Sequence, residues 1–366
     1  MTRITRLVTV GFFVLVSGSA AAGPFEEVLR LIPVQFQSPV ISFTNWVRIR
    51  ADEGLEGLTS QSPLEERQAL LRSTTTRQAA PSAFGVSRFP LPAEVWGWDT
   101  ADHVWEANLT LDNLSPLWVI HLAEGVDLDA LAARFRDRGF SEETLFGAVV
   151  FRHPLDLTAD WLRVTELAIL NTAILFEERL LVMCSTPAGV AAVLAARAGE
   201  VSTWADVPWA VSLAQLLERA SGAVVLLGPS VCLGFSGSAV LSTLLSSPSG
   251  TAARHMGALL EEGPPLQPYV GLAAGYETQD GEPVGLFVLH YLTKETAVAD
   301  LPARTALAEE GVSVVTRAPY REDVFTVREA TVEGTSVVLR VEPTNGQPSR
   351  LLHMVFGRDL IFAICP

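Results

Sequence analysis

Only one lysine, Lys294, stands among the 26 basic residues; the other 25 are arginine. Schiff-base chemistry therefore has a single candidate amine, in an expected surface loop. Cysteine is nearly as scarce, with Cys184, Cys232 and Cys365 all in apolar, strand-like runs. Three is an odd number, so at least one thiol is free or pairs between chains. The expectation is buried small hydrophobes, with a Cys184–Cys365 bridge as the alternative. Cofactor motifs are missing altogether: there is no G-x-x-x-x-G-K, G-x-G-x-x-G, H-E-x-x-H or C-x-x-C. The six histidines (103, 121, 153, 255, 290 and 353) lie too far apart in sequence for ligand spacing. No cofactor, no metal site and no catalytic residue is therefore assigned. Positive charge is short as well. The formal net charge is −15, and −17 without Arg3 and Arg6, which argues against nucleic acid and against anionic membrane surfaces.

Long hydrophobic runs are also lacking. Leu7 to Val16 is too short to span a bilayer of about 30 Å. Preceded by Arg3 and Arg6 and followed by Ala20-Ala21-Ala22, it reads instead as the core of a signal peptide over residues 1–22. The expected mature chain begins at Gly23, carries no membrane span and is exported to the periplasm, the cell surface or the medium. With 49% hydrophobic and 18% charged residues, it has the composition of a packed globular protein.

The stretch Leu117 to Val150 organises the rest. Leu117-Trp118-Val119-Ile120-His121-Leu122 reads as a strand, rich in β-branched and aromatic residues. Asp127 is placed to cap a helix with Leu128, Leu131, Ala132 and Phe135 on one face, Gly139 to end it, and Ala148-Val149-Val150-Phe151 to resume as strand. Leu286-Phe287-Val288-Leu289-His290-Tyr291 repeats the first strand at an offset of 169, and a helix from Arg304 to Glu310 ends at Gly311. Leu180–Cys184 is matched with Ile361–Cys365. These correspondences predict an α+β fold made of two pseudo-repeats of a strand-helix-strand-strand unit, mostly antiparallel sheet with helices packed on one face. The expected divisions are a helical segment and linker over 23–93, a first repeat over 94–235 and a second over 236–366. Both repeat strands are expected to be central, and Gly139 and Gly311 left-handed. The second copy lacks the helix that follows Cys184. Further helices are expected from Thr158 and around Ala252–Leu260, and strands over Leu351–Phe356 and Leu360–Cys365.

Two groups could carry chemistry. Asp99, Asp102 and His103 could supply an acid–base pair or oxygen and nitrogen ligands, and equally belong in turns and caps. Trp96, Trp98 and Trp105 beside them could line a ligand surface or plug a core. These six residues are the candidate ligand-binding set. Gly234-Phe235-Ser236-Gly237-Ser238 falls one glycine short of a nucleophile elbow and reads as a loop. His121 and His290 hold matching positions and would meet across a pseudo-twofold, or would sit as satisfied core residues.

Phe43-Thr44-Asn45-Trp46, Trp96-Gly97-Trp98-Asp99 and the module Leu128 to Phe151, with Gly139-Phe140 and Phe146-Gly147, resemble a group of exported bacterial proteins of unknown function. The resemblance covers roughly residues 95–235 and implies no activity or cofactor. Together these features predict an exported, soluble, non-enzymatic protein that binds an unknown protein or small molecule, or supports an envelope assembly. The alternatives are a hydrolase built around Asp99, Asp102 and His103, or a small-molecule carrier with a cleft between the repeats.

Overall fold

The computed structural model describes residues 23–74, 77, 91–112, 116–154, 171–232, 265–344 and 346–365. The leader, the helix expected from Thr158, the near-elbow at Gly234–Ser238 and the helix expected around Ala252–Leu260 lie outside them.

Helix α1 (Pro24–Leu29) precedes β1 (Val40–Asn45), which runs straight into α2 (Trp46–Asp52). The switch is local, because the Asn45 side chain accepts from Arg48 N at 3.1 Å and caps the new helix. Helices α3 (Leu64–Thr74) and α4 (Leu91–Trp96) and a 3₁₀ turn (Thr100–Asp102) lead to β2 (His103–Thr110) and β3 (Leu117–Leu122). Asp127 then caps α5 (Leu128–Asp137) by accepting from Asp129 N and Ala130 N, and Gly139 ends it at φ +87°. Both match the sequence reading. Two hairpins follow, β4 (Ser141–Leu145) with β5 (Ala148–Arg152) and β6 (Thr172–Leu175) with β7 (Leu180–Cys184). Helix α6 (Pro187–Arg197), a 3₁₀ turn (Trp204–Asp206), α7 (Pro208–Leu216) and β8 (Gly222–Leu227) complete the first part. The second consists of β9 (Gly271–Gln279), β10 (Glu282–His290), α8 (Lys294–Glu310), α9 (Tyr320–Asp323), β11 (Phe325–Glu333), β12 (Ser336–Pro343) and α10 (Ser349–Gly357).

The result is a mixed α+β fold with one large antiparallel sheet. Its order is β11-β12-β10-β9-β8-β1-β2-β3-β7-β6-β5-β4, so the strands of both parts join in a single layer. Successive side chains of a strand point to opposite faces, and the cores divide accordingly. A helical layer packs on one face, where Ile41, Phe43, Ala107, Val119, Val182, Val225 and Val288 meet α1, α6 and α7. The alternate residues meet a second set of helices. Ile120, Leu181 and Met183 pack with Leu131 and Phe135 of α5, while Phe287, Leu289, Val337 and Leu339 pack with α8 and α10.

The register within the sheet is similar in the two halves. Leu117, Val119 and His121 of β3 face Cys184, Val182 and Leu180 of β7. Leu286, Val288 and His290 of β10 face Arg340, Val338 and Ser336 of β12.

Several expectations are corrected. Leu351–Phe356 is helical, not extended: Leu351, Leu352, Met354 and Val355 are all buried, a helical spacing that a short apolar run does not reveal. The first half's Leu180–Cys184 is a strand, but Ile361–Ala363 of its expected counterpart is a 3₁₀ turn. Gly311 is extended (φ −67°, ψ 161°), and it is a glycine because a Cβ there would strike the Leu307 carbonyl and the Tyr320 ring. Cys365 bonds to Cys232, and the buried Cys184 is in no disulfide. His121 and His290 do not meet, since four strands separate β3 from β10.

Candidate functional site

The six residues singled out by sequence are all buried, none more than 4% exposed. They are not one constellation. Trp96 packs against Phe135 and Phe140 under the Arg138 guanidinium, over α5. Trp105 belongs to the opposite face, beside Phe43 and His121. Trp98, Asp99, Asp102 and His103 do come together, at the 3₁₀ turn that starts β2.

That turn is a capping box. Asp99 Oδ1 accepts from Ala101 N at 2.8 Å, and Asp102 Oδ2 accepts from Asp99 N at 3.1 Å. The remaining oxygens are engaged too, Asp99 Oδ2 by Arg67 Nη1 at 2.6 Å and Asp102 Oδ1 by Ser60 N at 3.0 Å. Burial raises the Asp99 pKa above the usual carboxylate value, against the Ala101 N–H and Arg67. Arg50 donates to the Ala101 and His103 carbonyls at 3.0 and 2.9 Å, and its burial lowers its pKa. His103 lies between Trp98 and Trp46, with ring centroids 5.2 and 6.2 Å away. Its Nδ1 is 3.3 Å from Glu106 Oε2, an oxygen that accepts from Trp46 Nε1, yet neither imidazole nitrogen has a hydrogen-bond partner. Sequence reasoning missed Arg50 and Arg67, which long-range packing alone brings here, and Glu106, three residues after His103 on the same strand. Phe43-Thr44-Asn45-Trp46 was the only trace.

A second buried polar group closes the C-terminal part. Arg304 pairs with Asp300 at 2.7 Å and donates to the carbonyls of Gln267, Phe362 and Ile364. Tyr291 donates to Asp300 at 2.6 Å, and Tyr269 to the Ala363 carbonyl at 2.7 Å. All donors point at carbonyls or a paired carboxylate, so the group holds the tail in place.

Open space lies elsewhere. Beyond the end of α7, a cleft of about 330 Å³ lies against β9, β10, β11 and β12. By strand alternation, Glu277, Val284, Leu286, Glu333 and Arg340 line it from the sheet face that carries Val288 and Val338. Leu216, Glu218 and Arg219 close it from the α7 side. Arg219 pairs with Glu277 at 3.2 Å, and Arg340 with Glu333 at 2.7 Å and Glu329 at 3.5 Å. A larger and mainly polar hollow of about 820 Å³ lies between α1 and the end of α6. There burial raises the pKa of Glu27, opposed by Arg197 and Arg30.

Among the described residues no three His, Cys, Asp or Glu side chains are grouped to hold a metal ion, and no helix is long and apolar enough to cross a membrane. No protein-family model matches the chain, and no curated protein matches its sequence. Among solved structures, one titled "Structure of crystal form I of TP0453" aligns over 91% of this chain and 97% of its own, at 7% identity and a TM-score of 0.34. That is a weak structural resemblance.

Proposed function

We propose that the chain is an exported, non-enzymatic binding protein, and that its ligand sits in the cleft between the end of α7 and strands β9–β12. One observation carries this reading: the cleft occupies the place that α6 fills in the other half of the sheet. The two halves share the order first-second-fourth-third, β2-β3-β7-β6 and β9-β10-β12-β11, which supports treating them as copies. In that correspondence Leu117 matches Leu286, and Cys184 matches Arg340. Leu117 and Cys184 lie directly under Gly189 of α6. Leu286 and Arg340 line the cleft instead, because the helix after β12, α10, packs with the opposite face. On this reading the β4–β5 hairpin is an insertion in the first copy, and the copies are divided near residues 94 and 236.

A partly apolar, partly charged seat between the copies suits a carrier or a binding protein better than a catalyst. The test is direct. Protein purified from its native envelope is extracted and its small molecules identified, alongside Leu286→Trp, which fills the cleft. We expect a bound compound that the variant loses while keeping its fold; an empty wild-type protein, or a compound retained by the variant, sinks the proposal. Export is tested by N-terminal sequencing of the secreted protein, which should begin at Gly23.

A second reading, a hydrolase centred on Asp99, Asp102 and His103, is favoured by the unpartnered imidazole of His103. Against it stands the use of both aspartates in the capping box and of Asp99 in the ion pair with Arg67. His103→Ala distinguishes the two readings: a loss of 100-fold or more in binding or activity, with folding intact, would make the trio a site.

A further inference from the structure

We infer that the cleft takes a small linear cation with an aliphatic spacer, of the diamine or polyamine class; this rests on the reading of the cleft as the ligand seat. The charge balance comes first. Among the described residues, three carboxylates line the space, Glu218, Glu277 and Glu333, against two guanidiniums, Arg219 and Arg340. The surroundings lean the same way, since Glu329 shares Arg340 and Glu282 stands on the same sheet face as Val284 by alternation. Arg219 does not fix the sign of the site. Its side chain is 72% exposed while its partner Glu277 is 23% exposed, so the carboxylate is the built-in element and the guanidinium is free to swing out. The whole chain, at −15, also draws cations towards any acidic hollow.

Size and lining narrow the class. At about 330 Å³ the cleft is at the small end of ligand sites. Leu216, Val284 and Leu286 give an apolar strip between the charges, suited to methylenes. The strip carries no aromatic cage of the kind that recognises quaternary ammonium. Tyr276, the one aromatic residue at the cleft among the described residues, has its ring in the core of the other face. Primary or secondary ammonium groups, which donate hydrogen bonds to carboxylates, therefore fit the lining better.

Calorimetric titration of the protein spanning residues 23–366 tests this with two probes, spermidine and the dicarboxylate suberate. We expect spermidine to bind, to weaken at least 10-fold on Glu277→Gln and on Glu333→Gln, and to weaken with salt. Glu142→Gln, on the far edge strand, should leave it unchanged. Spermidine binding that ignores Glu277→Gln and Glu333→Gln is surface counterion binding only and overturns the inference. Suberate binding that Leu286→Trp abolishes, without spermidine binding, overturns the cation class and leaves the cleft standing. If neither probe binds and the native protein also yields no cleft ligand, both proposals fall.

Discussion

Where α6 crosses β3 and β7, a Cβ on Gly189 would come within 2.5 Å of Cys184 Sγ and 3.2 Å of Leu117 Cδ1. The helix backbone rests directly on these two sheet side chains. At the corresponding place on β10 and β12, Leu286 and Arg340 instead face a charged cleft that the end of α7 borders. The sheet beneath is built alike in both regions, yet one is sealed and the other open. Backbone order and register thus do not decide where open space forms. What decides it is the face to which the helix after the last strand is sent, and that depends on partners remote in sequence.

Breaking the second half should have the largest effect. Arg304 and Asp300 are fully buried, and removing one member of such a pair leaves an uncompensated charge in the core. Arg304→Ala should cost about 3–5 kcal/mol in urea unfolding and expose the C-terminal tail to hydrogen exchange before β2 and β3. Equal exposure of both halves would mean that they fold as one unit and weaken the comparison.

Acid should come next. His290 is buried under Trp209 with Nδ1 against Ser336 Oγ at 2.9 Å, and burial pulls its pKa from 6.5 down to about 4. Between those values the unfolded chain binds the proton and the folded chain does not, so stability falls as pH drops from about 6.5 to about 4. The full loss is roughly 3 kcal/mol. Asp99 and Asp359, with pKa values raised by burial, contribute in the opposite direction. The check is the difference between wild type and His290→Gln at pH 7 and pH 4.5; identical pH slopes would reject the assignment.

Gly189→Val sharpens the comparison from the sealed side. The added atoms meet Cys184 and Leu117, and overpacking of this kind costs about 1–3 kcal/mol. The smallest effect is expected from His103→Ala, which should leave ligand binding within a few-fold if the cluster beneath α2 is structural.

Local signals were legible in the sequence and distant ones were not. Asp127, placed to cap α5, and Gly139, placed to end it, act within a few residues and were read correctly. Asp280-Gly281, both at positive φ, likewise mark the β9–β10 turn. Leu351–Val355 failed because a continuous apolar run has the same composition as a buried strand. Pairing Cys184 with Cys365 failed because equal spacing was taken for equal structure, whereas Leu180–Cys184 is a strand and Ile361–Ala363 a 3₁₀ turn. The Asp99–Asp102 cluster was found by composition, but its partners Arg50 and Arg67 come from α2 and α3, which no local pattern connects to it. A cleft was expected only under the carrier reading, with no lining residue named. Its lining comes from α7 and four strands that meet only in the folded sheet.

The Cys232–Cys365 bond joins residues 133 apart in sequence and turns that part of the chain into a covalent ring. The chain up to Cys232 is therefore an arm joined to a closed ring that spans Cys232 to Cys365. A single proteolytic cut between residues 233 and 364 would leave the fragments linked. Such a nick would be invisible on a non-reducing gel and would appear as two bands once thiol was added. Cleavage in the arm, at any residue before 232, would release a fragment in either condition. The same protease digest, run both ways, would thus sort every cut into ring or arm.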